Sequence, residues 1–342
     1  MISAAIAVFV SAPRGASAQG PGEYEHVVEE YRIGDANTAI RRLARWPEPA
    51  VAESVRYWAA KLRPEQLVAA AMLHSELAAA ILGSLPSATN RHLHFARDLL
   101  DVMASGKNDR DRADAVTLRW YRFVVSLYTV DTRLDDAERY SRDGLGRFPE
   151  DPVLRFHRGV MLEVRARYNL PDPPRATMAR GRIPEPTARQ TTTLESAAAE
   201  YRRALALDAH LAIARLHLGW IHVRLHDDRA RADLDAALAD ARDDGVRYLA
   251  YLFLGGLAER QNRLADALQE YQLAHAAGPL HQTPYVASSR IEQALGHADR
   301  ARSLAREYAE LKDIDDDPWW TYQLGALDEE ALQWLRAEAR RR

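Results

Sequence analysis

The sequence predicts an all-α fold, a right-handed α-solenoid in which helix hairpins stack side by side. After residue 20, apolar residues recur at intervals of three and four, which is the period of a helix with one buried face. Runs of alternating β-branched residues are absent from the sequence. Glycine and proline fall mainly where they separate helices of about a dozen residues. Such regular spacing indicates internal repeats, whose hairpins bury their apolar faces only by stacking on one another.

Composition excludes several classes of function. The 342 residues carry a formal net charge of -3, and none of them is cysteine. A nearly balanced charge gives no reason to expect nucleic acid or an anionic membrane surface as a partner. The lack of cysteine rules out disulfides, a thiolate nucleophile and cysteine-ligated zinc or iron–sulfur centres.

Residues 1–20 are expected to be a cleaved secretory signal. Ile2–Ala12 form an apolar run that is shorter than the about 20 residues needed to span a bilayer, and Ala16–Ala18 fit a small-x-small cleavage pattern. The expected product is periplasmic or secreted, cleaved near Ala18, with no stable membrane insertion. The alternative is an untargeted N-terminus and a cytoplasmic location, because no basic residue precedes the apolar run.

Residues 21–112 are expected to form a helical N-terminal region of diverged hairpins that caps the array. Gly34, Ala39 and Pro47 stand at repeat-like offsets. The stretches EQLVAAAMLHSELAAAILG and RHLHFARDLLDVM predict a further helix pair, joined by SLPSATN. The charged run SGKNDRDR, which follows this pair, predicts a solvated connector.

The clearest hairpin lies in YLFLGGLAERQNRLADALQEYQLAHAAGP, residues 251–279. Gly255 and Ala267 are small, as required where two antiparallel helices approach closely. Tyr251 and Tyr271 are large and are expected to fill the space between this pair and the next. Pro279 follows a glycine and ends the second helix, because proline cannot continue it.

This order of residues resembles a tetratricopeptide repeat: aromatic, Leu-Gly, small, then Ala, aromatic, Ala and Pro over about 34 residues. The same register recurs four times with departures. Val124-Val125 replace Leu-Gly in residues 118–151, and Ser288-Ser289 replace it in residues 282–315. Residues 212–244 keep Leu218-Gly219, followed by Ala232, Ala236 and Ala239 after a turn with one extra residue. AAAEYRRALALDAH supplies a second helix, whose first-helix partner is expected in residues 152–168.

The array is therefore expected to cover residues 113–315, in about five repeats. Residues 169–190 contain five prolines and few apolar residues, so they predict a loop inserted inside one repeat. That loop is interpreted as a tolerated insertion, with a partner-contacting flap as the alternative. Residues 316–342 are expected to supply a capping helix with a polar outer face.

Histidines give the only candidate metal chemistry, and their spacing argues against it. His92 and His94 are two residues apart, which separates them by roughly 200° around a helix. His222 and His226 share a helix face, but the glutamate of a zincin-like pattern is absent between them. Packing is the favoured interpretation of His222. A helical metal-dependent hydrolase built around His74, Glu76, His92 and His94 is kept as an alternative function.

No phosphate loop, dinucleotide fingerprint or nucleophile motif occurs in the sequence. The resemblance implies a scaffold or adaptor that binds a protein or peptide partner in a concave groove, and it implies no cofactor and no metal. A structural part of an envelope assembly is a further alternative, and the sequence leaves the oligomeric state open. Projecting the repeat register onto the groove gives these candidate partner-binding residues: Arg122, Phe123, Ser126, Phe156, His157, Glu163, His217, Trp220, Arg224, Phe253, Glu259, Arg260 and Arg290. Trp220 and Arg224 lie four apart and are expected to present one joint surface.

Overall fold

A computed structural model describes residues 21–45, 55–106, 110–168, 185–310 and 317–341. Within these ranges the chain is helical, with short connections and no strand. The helices, in chain order, are α1 (Pro21–Ile33), α2 (Ala36–Leu43), α3 (Val55–Lys61), α4 (Pro64–Ile81), α5 (Pro86–Ser105), α6 (Arg110–Val130), α7 (Leu134–Arg147), α8 (Pro152–Tyr168), α9 (Ala188–Leu207), α10 (Ala212–Arg224), α11 (Ala230–Asp240), α12 (Asp244–Arg260), α13 (Leu264–Ala277), α14 (Gln282–Ala294), α15 (Ala298–Ala309), α16 (Pro318–Leu324) and α17 (Glu329–Ala339). The predicted all-α class is confirmed.

The chain divides into two compact units. Unit 1 comprises Met1–Leu127 together with Asp328–Arg342, and unit 2 comprises Tyr128–Leu327. None of the described helices is both long enough and apolar enough to cross a membrane. The predicted signal in residues 1–20 lies outside the described residues, as does most of the predicted insertion.

Unit 1 is built around α4, whose alanine-rich middle is buried on nearly all sides. The helix pair predicted from the sequence is present, since α4 packs on α5. Helix α17 also packs on α4, where the guanidinium of Arg336 donates to both carboxylate oxygens of Glu76 at 2.8 Å. The indole of Trp120 donates to Ser75 Oγ at 2.8 Å. These polar contacts lie within a core that contains both aliphatic and aromatic side chains.

Unit 2 consists mainly of consecutive antiparallel helix pairs: α8 with α9, α10 with α11, α12 with α13, and α14 with α15. The predicted repeat positions lie at the contacts within these pairs. A Cβ added to Gly255 would overlap the ring of Tyr271, and one added to Gly159 would overlap the ring of Tyr201. At these two positions only glycine leaves room for the buried tyrosine of the second helix.

Tyr271 does more than fill the space between pairs. Its ring lies inside its own hairpin, against Gly255, and its hydroxyl donates to Glu259 at 2.9 Å. Arg290 of the next pair also contacts Glu259. The serines that replace Leu-Gly in the last pair substitute a hydrogen bond for close packing, since Ser289 Oγ donates to the carbonyl of Ala301 at 2.9 Å.

The repeat register predicted from the sequence was wrong for α11. Ala232, Ala236 and Ala239 were expected to take the small-residue positions, but Ala232 and Ala239 are exposed and Ala236 is half-buried. The buried residues are Ala230, Leu234 and Ala237. Leu234 is the residue that lies against Gly219. The sequence interpretation assumed one extra residue in the turn before α11. The turn is shorter than that, so the buried face of α11 begins two positions earlier, at Ala230.

The boundaries also differ at two other places. Thr187 caps α9 by accepting the backbone N–H of Gln190, so residues 188–190 of the predicted loop are helical. The C-terminal residues do not form one capping element, because α16 belongs to unit 2 and α17 to unit 1.

Candidate functional site: the first-helix face of unit 2

Helix α16 lies on the face formed by the first helices of the four pairs in unit 2, α8, α10, α12 and α14, here called the first-helix face. Asp317 caps the N-terminus of α16 by accepting the backbone N–H of Trp319 at 3.0 Å. Pro318 occupies the first turn, where its missing N–H is harmless. Gly325 ends the helix with a φ of 83°, and a Cβ there would approach Thr129 Cγ2 to 3.1 Å. Only glycine combines this backbone conformation with this spacing.

Aromatic rings form the apolar part of the contact. Trp220 of α10 stacks on Phe253 of α12, with ring centroids 4.3 Å apart. Trp319 of α16 stands edge-on to both rings, at 5.9 Å and 5.7 Å. Tyr322 meets Phe253 at 4.9 Å and His217 at 4.4 Å. Edge-to-face pairs at these distances stabilise the contact beyond the buried area alone.

Asp317 is the polar anchor at the start of the segment, and its side chain is almost fully buried. Its Oδ1 accepts the hydroxyl of Tyr248 at 2.8 Å. Its Oδ2 accepts both the backbone N–H and the hydroxyl of Thr283, at 2.9 Å and 2.5 Å. Asp317 is therefore a buried N-cap whose two carboxylate oxygens both accept hydrogen bonds.

Glu163 of α8 is the centre of a buried polar cluster under the other end of α16. Its side chain is fully buried, and it accepts the hydroxyls of Tyr322 at 2.5 Å and Tyr201 at 2.9 Å. His217 Nδ1 lies 2.8 Å from the same carboxylate, and Arg167 forms an ion pair with it. All four lone-pair directions of the carboxylate are thus used, which is what a buried charge requires.

Arg167 also holds the end of α16 directly. Its Nη1 donates to the backbone carbonyls of Tyr322 and Gln323, at 3.2 Å and 2.9 Å, and its guanidinium lies 4.8 Å from the Tyr322 ring centroid. A cation is favourable here because the last carbonyls of a helix have no partner within the helix and carry partial negative charge.

Burial shifts the pKa values of this cluster. Burial alone would raise the pKa of Glu163, but the charge of Arg167 and the hydrogen bonds from His217 and Tyr322 outweigh it, and the pKa lies well below its ordinary value. Burial lowers the pKa of His217 despite the neighbouring Glu163. Burial also lowers the pKa of Arg224 to about 10, and the charge of Arg167 adds to that effect. The cluster is therefore an ionised carboxylate facing two guanidiniums and a histidine that resists protonation.

The residues expected in the groove from the sequence are mostly buried. Phe123, Ser126, His157, Glu163, His217, Trp220, Arg224 and Phe253 are all less than a tenth exposed, and Arg122, Phe156, Glu259, Arg260 and Arg290 are half-buried. Glu163, His217, Trp220 and Phe253 are brought together under α16. Phe156 joins them through its ring, which is 5.2 Å from that of His217.

The other candidates lie elsewhere. Arg260 pairs with Glu185 at 2.9 Å and contacts His226, while Arg290 contacts Glu259. Arg122, Phe123 and Ser126 belong to unit 1.

The expectation of an open surface at Trp220 and Arg224 differs from the structure, where the two residues are 4% and 6% exposed. The sequence reasoning did not assign Arg167, Asp317, Trp319 or Tyr322 to the groove. The signal was present in PWWTY, which holds more aromatic residues than a solvent-facing cap needs.

The alternative site in unit 1 brings two of its four residues together. His74 Nδ1 lies 2.8 Å from His92 Nδ1, and His74 Nε2 is 3.1 Å from the hydroxyl of Tyr24. Glu76 points instead to Tyr31 and Arg336. Among the described residues, no group of three or more histidine, aspartate or glutamate side chains could hold a metal ion.

His222 and His226 do not contact the same carboxylate. His222 Nδ1 lies 2.7 Å from Asp233 Oδ2, which agrees with the packing interpretation, whereas His226 is paired with Glu185 on the surface.

Comparison with known proteins gave matches only among solved structures; no family model and no curated protein matches the chain. A point mutant of MamA is 14% identical with a TM-score of 0.38, over 58% of this chain and 99% of that one. The MamA structure designated MSR-1 C2 is 14% identical with a TM-score of 0.38, over 57% of this chain and 97% of that one. A tetratricopeptide repeat protein from Parabacteroides merdae is 13% identical with a TM-score of 0.45, over 94% of this chain and 100% of that one.

The close contacts inside the pairs occupy the positions at which the sequence resembles the repeat. Gly159 lies against Tyr201, Gly255 against Tyr271, and Ser289 bonds to Ala301. By these packing positions the chain is tetratricopeptide-repeat-like, with its helix pairs arrayed in unit 2.

Proposed function

We propose that the chain is a protein-interaction scaffold whose first-helix face binds a short segment of a partner protein. The observation that supports this is α16, a seven-residue aromatic helix that already lies on this face. The face provides aromatic contacts for the side chains, donors for the capping carboxylate and a guanidinium for the last carbonyls. Helix-in-groove recognition uses the same elements when the helix comes from another protein.

Purification of binding partners tests the proposal with a pair of opposite variants. Trp319→Ala removes a ring of α16 and is expected to increase the recovery of partners, because it frees the face. Trp220→Ala changes the face itself and is expected to abolish that recovery. Trp334→Ala is the matched control, since this half-buried tryptophan of α17 lies in unit 1, over Arg119.

Quantitative mass spectrometry of proteins bound to each full-length variant is the measurement, with circular dichroism to verify folding. Retention of every partner by Trp220→Ala would show that the first-helix face is not the binding surface. The absence of any partner enriched by the wild-type chain or by Trp319→Ala would also refute the scaffold.

We also propose that residues 1–20 direct the chain to the periplasm or the exterior and are then removed. The apolar run and the small residues before Ala18 support this. N-terminal sequencing of protein from fractionated cells is the test. An intact N-terminus on protein recovered from the cytoplasm would refute it.

A further inference from the structure

The first-helix face binds individual side chains of α16 at separate places. Asp317 is bound where α12 and α14 meet, by Tyr248 and Thr283. Trp319 is bound over α10 and α12, edge-on to Trp220 and Phe253. Asp317 is the N-cap of α16. Trp319 follows it by two residues, and Tyr322, described below, follows it by five.

The Asp317 position accepts a carboxylate and disfavours an amide. Every group that faces it is a donor: one backbone N–H and two hydroxyls from the face, and the N–H of Trp319 from its own helix. The NH2 group of an asparagine would oppose at least one of these donors and leave it unpaired. A glutamate would reach too far to cap its own helix and bond Thr283 at the same time.

The Tyr322 position selects a ring with a hydroxyl. The ring packs on His217 and Phe253, while the hydroxyl donates to Glu163 at 2.5 Å. Phenylalanine would fill the same volume but leave the buried carboxylate one donor short. A site built around a buried polar group discriminates strongly against a ligand that lacks the matching group.

The opposite side of α16 makes little contact with unit 2. Thr321 is exposed and Leu324 is 49% exposed, whereas Trp320 is half-buried and packs against the buried core of unit 2. A helix of seven residues is not stable by itself in water, so the face supplies the contacts that order it. This is how a peptide ligand behaves, with one side read by the receptor and the other side in solvent.

We propose that the first-helix face recognises, in a partner protein, a short helix with aspartate at its N-cap, tryptophan two residues later and tyrosine five residues later, and that α16 is an internal copy of this ligand. The inference rests on the proposed function and names the sequence class of its partner. Because α16 is tethered, its effective concentration at the face is about millimolar. A partner must therefore displace it, and the apparent affinity equals the intrinsic affinity multiplied by the fraction of chains in which the face is free.

A labelled peptide provides the direct test. Acetyl-DPWWTYQLG-amide, which carries residues 317–325, is titrated with full-length protein and binding is followed by fluorescence anisotropy. The full-length double variant Trp319→Ala, Tyr322→Ala is expected to bind this peptide about tenfold or more tightly than the wild-type chain, because its own α16 no longer competes.

Changes in the peptide test the individual contacts. Asp317→Asn, Trp319→Ala and Tyr322→Phe in the peptide are each expected to weaken binding about tenfold. Thr321→Ala in the peptide is the control and is expected to retain affinity within about threefold, because Thr321 is exposed. Equal binding of the Trp319→Ala and Thr321→Ala peptides would overturn the assigned register.

Hydrogen exchange supplies a second measurement that needs no protein variant. Excess unlabelled peptide added to the wild-type chain is expected to speed exchange in residues 317–325, since displaced α16 loses its protection. Unchanged exchange, together with a folded double variant that does not bind the peptide, would overturn the recognition sequence. The scaffold would still stand if Trp319→Ala recovered partners that Trp220→Ala did not.

The other possible occupant is α16 of a second copy of the chain. Light scattering at micromolar concentration distinguishes it. A monomer supports recognition of a separate partner. A dimer that the peptide dissociates would overturn that assignment, because it would show that α16 of one copy binds the face of another.

Discussion

Glu163 shows how much one buried residue organises in this protein. It joins α8 to α9 through Tyr201, to α10 through His217 and to α16 through Tyr322. The charge of Arg167 keeps the carboxylate ionised in a fully buried position. Losing one member of such a cluster leaves the others desolvated and without a partner, which costs more than an exposed ion pair contributes.

We expect Glu163→Gln to lower the free energy of unfolding by about 3 kcal/mol, because Arg167 and Arg224 would then be buried without a carboxylate. Urea denaturation followed by circular dichroism measures this. Asp135→Asn is the control, since Asp135 is fully exposed where it pairs with Arg165, and a change below about 1 kcal/mol is expected. Equal effects of the two substitutions would contradict the role assigned to Glu163.

The His74–His92 pair predicts how stability changes with pH. Burial, aided by the charge of Arg91, lowers the pKa of His92 to about 4, and burial also lowers that of His74. An unfolded histidine titrates near about 6.5, so below that pH the unfolded chain binds more protons than the folded one. Stability from this pair is therefore complete above about pH 6.5 and is lost as the pH falls towards 4.

His92→Gln tests this pH dependence. The variant is expected to lose on the order of 2 kcal/mol less than the wild-type chain between pH 7 and pH 4, in urea titrations at each pH. His26→Gln, at a histidine whose side chain is 65% exposed, should follow the wild-type curve. Parallel curves for all three proteins would show that the buried pair does not control the loss.

At the scale of elements, the contact between glycine and tyrosine determines how closely two helices approach. Gly255→Ala is expected to destabilise the protein by about 1–3 kcal/mol, because the new Cβ would overlap the Tyr271 ring, whose Cδ1 would lie at 2.7 Å. Thermal or urea unfolding measures the change.

Gly146→Ala is the matched control for that substitution. Gly146 lies exposed in α7 with no atom within 4 Å of the added Cβ. Removing a glycine from a helix without a clash is expected to stabilise by about 0.5–1 kcal/mol. Destabilisation by both substitutions would mean that the loss at Gly255 does not come from the tyrosine.

Element boundaries show where sequence reasoning succeeds and where it fails. In the pair α12–α13 the small positions were predicted correctly, because Gly255 and Ala267 keep the repeat spacing. The buried face of α11 was misplaced because alanine occurs on every side of that helix. Where alanine is common on every side of a helix, the hydrophobic periodicity does not show which alanines are buried. The length of the preceding turn decides this.

At the scale of the whole molecule, the C-terminal helix of the chain stabilises the unit that contains the N-terminal helices. Leu335 of α17 is fully buried, and α17 packs on α4. Leu335→Ala is expected to destabilise unit 1 by about 2–5 kcal/mol and to speed amide exchange in α4. Leu85→Ala, at a leucine 42% exposed in the same unit, should leave that exchange unchanged. Slow exchange in α4 of the Leu335→Ala variant would contradict the dependence of unit 1 on α17.

The candidate site was only half predictable. The repeat register placed His217, Trp220 and Phe253 on one face, because their positions follow from helix periodicity and the place of Gly219 and Gly255. It gave no indication that α16 covers them. The two sides of that contact are far apart in the chain, and no local pattern specifies which distant helix completes a face.

The sequence by itself determined the helical class, the pairing of consecutive helices and the positions of the close contacts in α12–α13. All of these depend on residues less than one repeat apart, where period and side-chain size suffice. Only the tertiary structure decided that Asp317, Trp319 and Tyr322 lie on the first-helix face and that Arg336 pairs with Glu76. Those contacts join segments separated by tens to hundreds of residues, and they are selected by the burial and charge of the assembled helices, which no single stretch of the sequence contains.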